Sequence, residues 1–437
     1  MNRKASIDFI TASREFIYAP STLVLFRVNK TDFTRRRKLI FEILVLTMLK
    51  LLRKSLSSEI HHIFSGLNTY VKRITSSAFI QSRRKLKPEL FYALHHLIVS
   101  EYYKDNDESV KLYKGMRLLS IDGSTINLPP NKSVMAEYGT YKNQRHTNDM
   151  VVARVSVLYD VLNEIVIDGL LRPFSQGEIT LSREHFTHVQ KGDLIIMDRG
   201  YPSFESAYLL QEKGAYFLIR CKETFSNEIK AFYASGKAEM VVEIKAKQNK
   251  SFENLPYSKD SVLKVRLLRI KLDSGEIEIL MTSLLDDKSF PRKEFKDLYF
   301  KRWGIETFYD RFKNIISVES FSGTSIQFIQ QEFNCALYMS NMQTILTQEA
   351  QYEAAEKYKN REYEYKINRS LSLGFIRDRL LDLYSKSNQS EQILQELKQL
   401  FVLHVVPIRP GRNNIREHEK YHKRLKPKQF KNRRIVF

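Results

Sequence analysis

Cysteine is nearly absent from this 437-residue chain: Cys221 and Cys335 are the only two, far apart and in no paired metal-ligand spacing. Neither a disulfide framework nor a zinc site is therefore indicated, which suits a reducing cytosol. Long hydrophobic runs are missing as well. The longest, Ile43 to Leu52, is broken by Lys50 and falls far short of the roughly 18 residues that a membrane span needs, and the N-terminus lacks a signal-peptide apolar region. The sequence predicts a soluble, unprocessed, cytoplasmic protein. There is one tryptophan, Trp303, and no evident internal repeat or low-complexity tract. Acidic residues are scarce beside basic ones, 50 against 71, for a formal charge of +21. That excess is the footprint of phosphate neutralisation and fits DNA-binding, RNA-binding or ribosome-associated proteins.

What is present is concentrated in three segments. In Tyr299 to Asn314, YFKRWGIETFYDRFKN, the residues Tyr299, Arg302, Glu306 and Lys313 stand at offsets of 3, 7 and 14. At about 100° per residue, these offsets put four side chains within roughly 60° of one helix face, a carboxylate flanked by two cations and a phenol. A second stripe, Ile305, Phe308, Phe312 and Ile316, gives the helix a buried side. Standing alone, the segment could equally be a surface helix with an ordinary Arg302–Glu306 ion pair contributing about 0.3–0.5 kcal/mol. Upstream, two apolar runs, Met116 to Ile121 and Leu194 to Met197, each end in an aspartate and a turn, Asp122-Gly123-Ser124 and Asp198-Arg199-Gly200-Tyr201. Strands of this kind deliver a carboxylate from a rigid element. Two strand-borne aspartates and one helix-borne glutamate make the hard-oxygen set that a pair of Mg2+ ions about 3.5–4 Å apart requires.

In that order, DGS, DRGY and Y-x2-R-x3-E-x6-K resemble the DDE transposases of bacterial insertion sequences, in the subgroup with the YREK signature. The resemblance covers about Met116 to Asn314. It implies an α/β, RNase H-like catalytic domain interrupted by a β-rich insertion, with helical N- and C-terminal regions. It implies catalytic and metal-binding roles for Asp122, on the first strand, Asp198, just after the fourth, and Glu306, on a later helix. Two Mg2+ ions, with Mn2+ as a substitute, are the implied cofactor. Tyr299, Arg302 and Lys313 are implied to bind DNA-end phosphates, with Trp303 and Arg199 as further DNA contacts. The implied activity is cut-and-paste transposition on double-stranded DNA by a homodimer in a synaptic complex, in a nucleoid-associated protein. A two-metal nuclease without strand transfer, or a non-catalytic DNA-binding descendant, is the alternative.

The rest of the chain fills in around these segments. Residues 1–105 read as a helical DNA-binding domain. It holds a core helix within Phe33 to Leu56 that follows the basic run Arg35 to Lys38, and a short helix capped by Thr75 or Ser76. That short helix displays Gln81, Arg83, Arg84 and Lys85 as in a recognition helix, or is simply amphipathic. A polar linker follows near residue 105. Two strand-like runs between Met150 and Leu171 complete a three-stranded antiparallel unit with the Asp122 strand, and residues 179–190 read as helix. His146 and His185 are read as surface or packing residues. The catalytic domain is expected over 106–221 and 277–320. The insertion is expected over 222–276, and the stretch between Asp198 and Glu306 contains alternating strand candidates at Glu239 to Lys247, Val262 to Leu272 and Glu276 to Ser283. The family's base-capturing tryptophan is missing from it, leaving Phe225, Phe232 or Tyr233 as stacking candidates. Residues 321–437 read as helical, ending in a basic tail: Ile408 to Phe437 holds 11 Lys and Arg against two Glu, with phosphate contact expected.

Overall fold

The β-rich runs assemble into one nine-stranded sheet in the computed structural model, which describes residues 4–35, 39–65, 74–104, 110–141, 150–246, 255–272 and 274–409. The basic tail beyond Arg409, the linker at 105–109, Arg36 to Lys38 and His146 lie outside the described residues. The strands are Leu118–Asn127 (β1), Thr140–Tyr141 (β2), Met150–Asp160 (β3), Ile165–Pro173 (β4), Leu194–Met197 (β5), Tyr216–Cys221 (β6), Glu239–Lys245 (β7), Val262–Lys271 (β8) and Ile277–Thr282 (β9). β4, β3 and β1 are antiparallel neighbours, and β5 and β6 follow parallel to β1. This is the RNase H-like order that the resemblance implied. β5 is only four residues long and all four are buried, as a parallel strand covered on both faces requires.

The expected insertion is β-rich, and its strands β7 and β8 continue the catalytic sheet beyond β9: β9 pairs with β6, β8 with β9 and β7 with β8, all antiparallel. Pairing to the exposed side of β6 satisfies backbone groups that a detached unit would leave at two edges. Its stacking candidates behave unequally. Phe232 is fully buried and therefore unavailable for a base, Phe225 is half-buried against the core, and Tyr233 is exposed beneath the Arg269 guanidinium. The helix expected at 179–190 is shorter, Glu178–Glu184, and tightens into a 3₁₀ turn at His185–His188.

A 32-residue helix, Ile326–Lys357, runs beside β4 and is buried along most of its first 22 positions. Its fit depends on Gly169 of β4, where an added Cβ would stand 2.6 Å from Leu337 Cδ1. Asn341 seals the contact: its amide oxygen accepts from Val166 N–H and its amide nitrogen donates to Val166 C=O, both at 2.8 Å. N-terminal helices share this apolar core. Phe41–Leu49 is a core helix as expected, and Glu89–Tyr103 packs on both the long helix and β4. No helix among the described residues is long and apolar enough to cross a membrane.

Candidate active site

The register between β1 and β5 sets the first two carboxylates. Ile121 faces Met197 across the parallel pair, so the next residues, Asp122 and Asp198, emerge side by side where β5 ends. Carboxyl ends of parallel strands are where α/β sheets gather their ligands, because the chain turns away there and leaves a crevice. Glu306 comes from the helix Trp303–Asn314, whose inner stripe Ile305, Phe308 and Phe312 is buried and continues into buried Ile316. Tyr309 of that helix donates its hydroxyl to the carbonyl of Asp122 at 2.7 Å, tying the helix to β1 at the point that matters.

The single continuous helix predicted for Tyr299 to Lys313 is two helices. Phe295–Phe300 ends after Tyr299, and the chain passes Lys301 and Arg302 in i→i−3 hydrogen bonds before the second helix starts at Trp303. A 3₁₀ joint keeps nearly helical dihedrals, which is why the periodicity survives it. The four side chains still converge. Tyr299 donates to Asp198 Oδ1 at 3.3 Å, Arg302 Nη2 donates to Glu306 Oε1 at 2.8 Å, and Lys313 Nζ donates to Ser124 Oγ at 2.7 Å. The Arg302 guanidinium lies between the rings of Tyr299 and Trp303, at 5.8 and 5.4 Å from their centroids. It is 6% exposed, and its Nε has no hydrogen-bond partner among the described residues. Trp303 is half exposed and Arg199 is exposed beside Asp198.

Burial pushes the Asp122 carboxyl up to about 6, against the Gly123 N–H bond and Arg302, while Glu306 and Asp198 push it the same way as burial. Three carboxylates this close with too few cations form a site short of positive charge. Their all-oxygen donor set fits a divalent cation such as Mg2+. Sequence reasoning did not pick out Ser124, Tyr201 or Tyr309, although each lies in one of the motifs. The Tyr201 hydroxyl is buried without a hydrogen-bond partner, and its pKa is pushed far up by burial and by Asp122.

The N-terminal DNA-reading expectation divides. Thr75 caps the helix Ser76–Arg83 as expected, accepting from Ala78 N–H, and Gln81 and Arg84 are exposed while Lys85 pairs with Asp32 at 3.7 Å. Arg83 is not displayed. It is 1% exposed, donates to Gln331, Ser322 and the Phe328 carbonyl, and pairs with Glu332 at 2.9 Å. A guanidinium that meets a buried carboxylate in its own fold points inward.

Asp198 follows its strand as expected, whereas Asp122 lies within β1, which runs on through Gly123 and Ser124 to Asn127 in place of the expected turn because those residues keep pairing with β3. An RNase H-like sheet bearing these aspartates under a glutamate helix defines an enzyme class that processes nucleic acid. The family model described as Transposase DDE domain matches residues 113–342, over half of the chain, and the chain belongs to that family of DNA-cleaving and DNA-transferring enzymes. Among solved structures, the piggyBac transposase synaptic complex with hairpin DNA is similar at 12% identity and a TM-score of 0.47, covering 94% of this chain and 88% of that one. No curated protein matches.

Proposed function

We propose that this chain is a cut-and-paste transposase of the YREK type, with Asp122, Asp198 and Glu306 as its catalytic carboxylates. The observation that carries the reading is the β1–β5 register, which sets two aspartates together beneath the glutamate helix. The three carboxylates would hold two Mg2+ ions, which when bound supply Lewis-acid stabilisation to the attacking and leaving oxygens of phosphodiester exchange. The protein's part is placement. Arg302 holds Glu306 through Nη2, beside the rings of Tyr299 and Trp303, and sets a fixed positive charge next to the carboxylates for a phosphate. Lys313 adds a point charge over β1, Tyr299 orients Asp198, and exposed Trp303, Arg199, Gln81, Arg84 and the basic tail extend the DNA contact. Water attacks the phosphodiester at the element end, and the freed 3′-hydroxyl then attacks target DNA in the same site, within a complex of two copies.

The test incubates purified protein with its own element's terminal DNA and Mg2+ and sizes the products on a denaturing gel. Cut ends and joined products are expected from the wild type. Glu306→Ala should yield neither while binding ends nearly as well, since it removes no cation. Normal cutting by Glu306→Ala would overturn the assignment; cutting without joining would identify a nuclease.

A further inference from the structure

A second polar cluster sits at the β4 edge of the sheet, away from the acidic residues. Asp122 pairs with Val157 of β3 and Asp168 with the adjacent Leu158, so the two aspartates point to opposite faces. Asp168 is almost wholly buried and meets three histidines. His185 Nδ1 donates to its Oδ2 at 2.6 Å, with His185 Nε2 against Ser156 Oγ at 3.0 Å. Its other oxygen, Oδ1, faces His96 Nε2 at 3.3 Å and His188 Nε2 at 3.8 Å. Yet neither Oδ1 nor His96 Nε2 makes a hydrogen bond of acceptable geometry, although both atoms are buried. The His96 and His188 rings are stacked 4.6 Å apart, 12° from parallel.

We propose that His96, Asp168 and His188 are a transition-metal site, filled by Zn2+ and completed by water, which pins the N-terminal helix Glu89–Tyr103 to the catalytic sheet. The three ligand atoms lie within 4.8 Å of one another. Ligands on a tetrahedral zinc with bonds near 2.0–2.1 Å stand about 3.3 Å apart, close to the two separations observed. The His188 ring, stacked on His96 and partly exposed, would turn about its side-chain bonds on binding, to bring both Nε2 lone pairs onto one ion. Two imidazole nitrogens, borderline donors, beside one hard carboxylate oxygen favour Zn2+ over Mg2+, unlike the all-oxygen set around Asp122. The supporting shell is present: His185, held by Ser156, fixes the carboxylate through its second oxygen. The ligands come from three elements, the helix Glu89–Tyr103, β4 and the 3₁₀ turn His185–His188, so one ion would cross-link chain segments up to 92 positions apart. His96 and His188 side chains are 20% and 28% exposed, which leaves an entry path and room for the water.

The experiment uses full-length Glu306→Gln protein, so that the acidic site does not contribute, stripped with a chelator and titrated with Zn2+ against a competing dye. One Zn2+ per chain is expected, undisplaced by excess Mg2+ and accompanied by a higher thermal midpoint. Co2+ in its place should give the visible absorption of a tetrahedral site. His188→Gln and His96→Gln should each weaken binding by more than the roughly 10–100-fold typical of losing a supporting residue, and should abolish the Co2+ spectrum. If His96→Gln fails to fold, His188→Gln on the more exposed turn carries the test. Equal Zn2+ binding by the parent and the double histidine variant, or none by the parent, would overturn the site and leave a cluster of ion pairs.

Discussion

Arg83 and Arg302 are both shielded from solvent, Arg83 the more deeply, and are used in opposite ways. The Arg83 guanidinium spends its donors within the fold, on Gln331, Ser322, Phe328 and Glu332, and Phe328 also covers its face at 4.1 Å. Arg302 is held between two rings, gives one nitrogen to a carboxylate, and keeps a buried Nε unused. The difference teaches that burial alone does not separate a structural arginine from a working one. A fully paired guanidinium is committed to its own fold, whereas Arg302 stands beside the carboxylates with an unpaired Nε, and the proposed phosphate contact rests on that position.

Three experiments test this contrast. The largest effect on stability is expected for Arg83→Met, which strands Glu332 in the core and should cost about 3–5 kcal/mol in denaturant unfolding while cleavage per folded molecule stays unchanged. A mild loss would mean that Glu332 finds other partners. Arg302→Lys keeps the charge but loses the fixed plane and Nε. Single-turnover cleavage of pre-bound ends should slow on the order of 100-fold, the cost of a scissile group misplaced by about 1 Å, with little change in binding. Wild-type rates in the Lys variant would return Arg302 to the role of an ordinary helix ion pair.

The smallest of the three concerns Asp122. Because its carboxyl is raised from 3.8 to about 6, the folded state favours the protonated form. Metal-free protein should therefore lose stability as pH rises from about 4 to 6 and keep that deficit above it. Asp122→Asn should recover about 1–3 kcal/mol at pH 8 in chelator and nothing at pH 3.5, read as thermal or denaturant midpoints. A divalent cation should remove the wild-type deficit. An unchanged midpoint at pH 8 would mean that the Gly123 N–H bond and Arg302 already balance the charge.

The acidic residues were legible because each is announced locally. Asp122 and Asp198 each follow an apolar run, although only the run before Asp198 ends there and β1 continues past Asp122 to Asn127, and Glu306 sits beside a buried stripe that the 3.6-residue period reveals. The 3₁₀ joint at Lys301 and Arg302 was not legible, since it shifts the helix without erasing its periodicity. The fate of Arg83 was hidden for another reason: its partners lie 239 to 249 positions away, and nothing in SSAFIQSRRK distinguishes Arg83 from Arg84. The Asp168 cluster is built from residues 72 and 20 positions apart, with no spacing motif to join them. The insertion strands were found, but their continuation of the catalytic sheet depends on β6 offering its second side to β9.

Asn341 carries a further meaning. By bonding both backbone groups of Val166, its side-chain amide imitates one residue of a neighbouring strand at the margin of β4. A sheet with an open margin recruits strands from other molecules. Here the long helix occupies that margin and its amide fills the pairing at Val166. At the other margin, β7 alternates exposed Glu239, Val241, Glu243 and Lys245 with more buried positions, so charge guards a side that no helix amide among the described residues seals. Asn341→Leu should thus betray itself less in melting temperature than in clumping of concentrated protein.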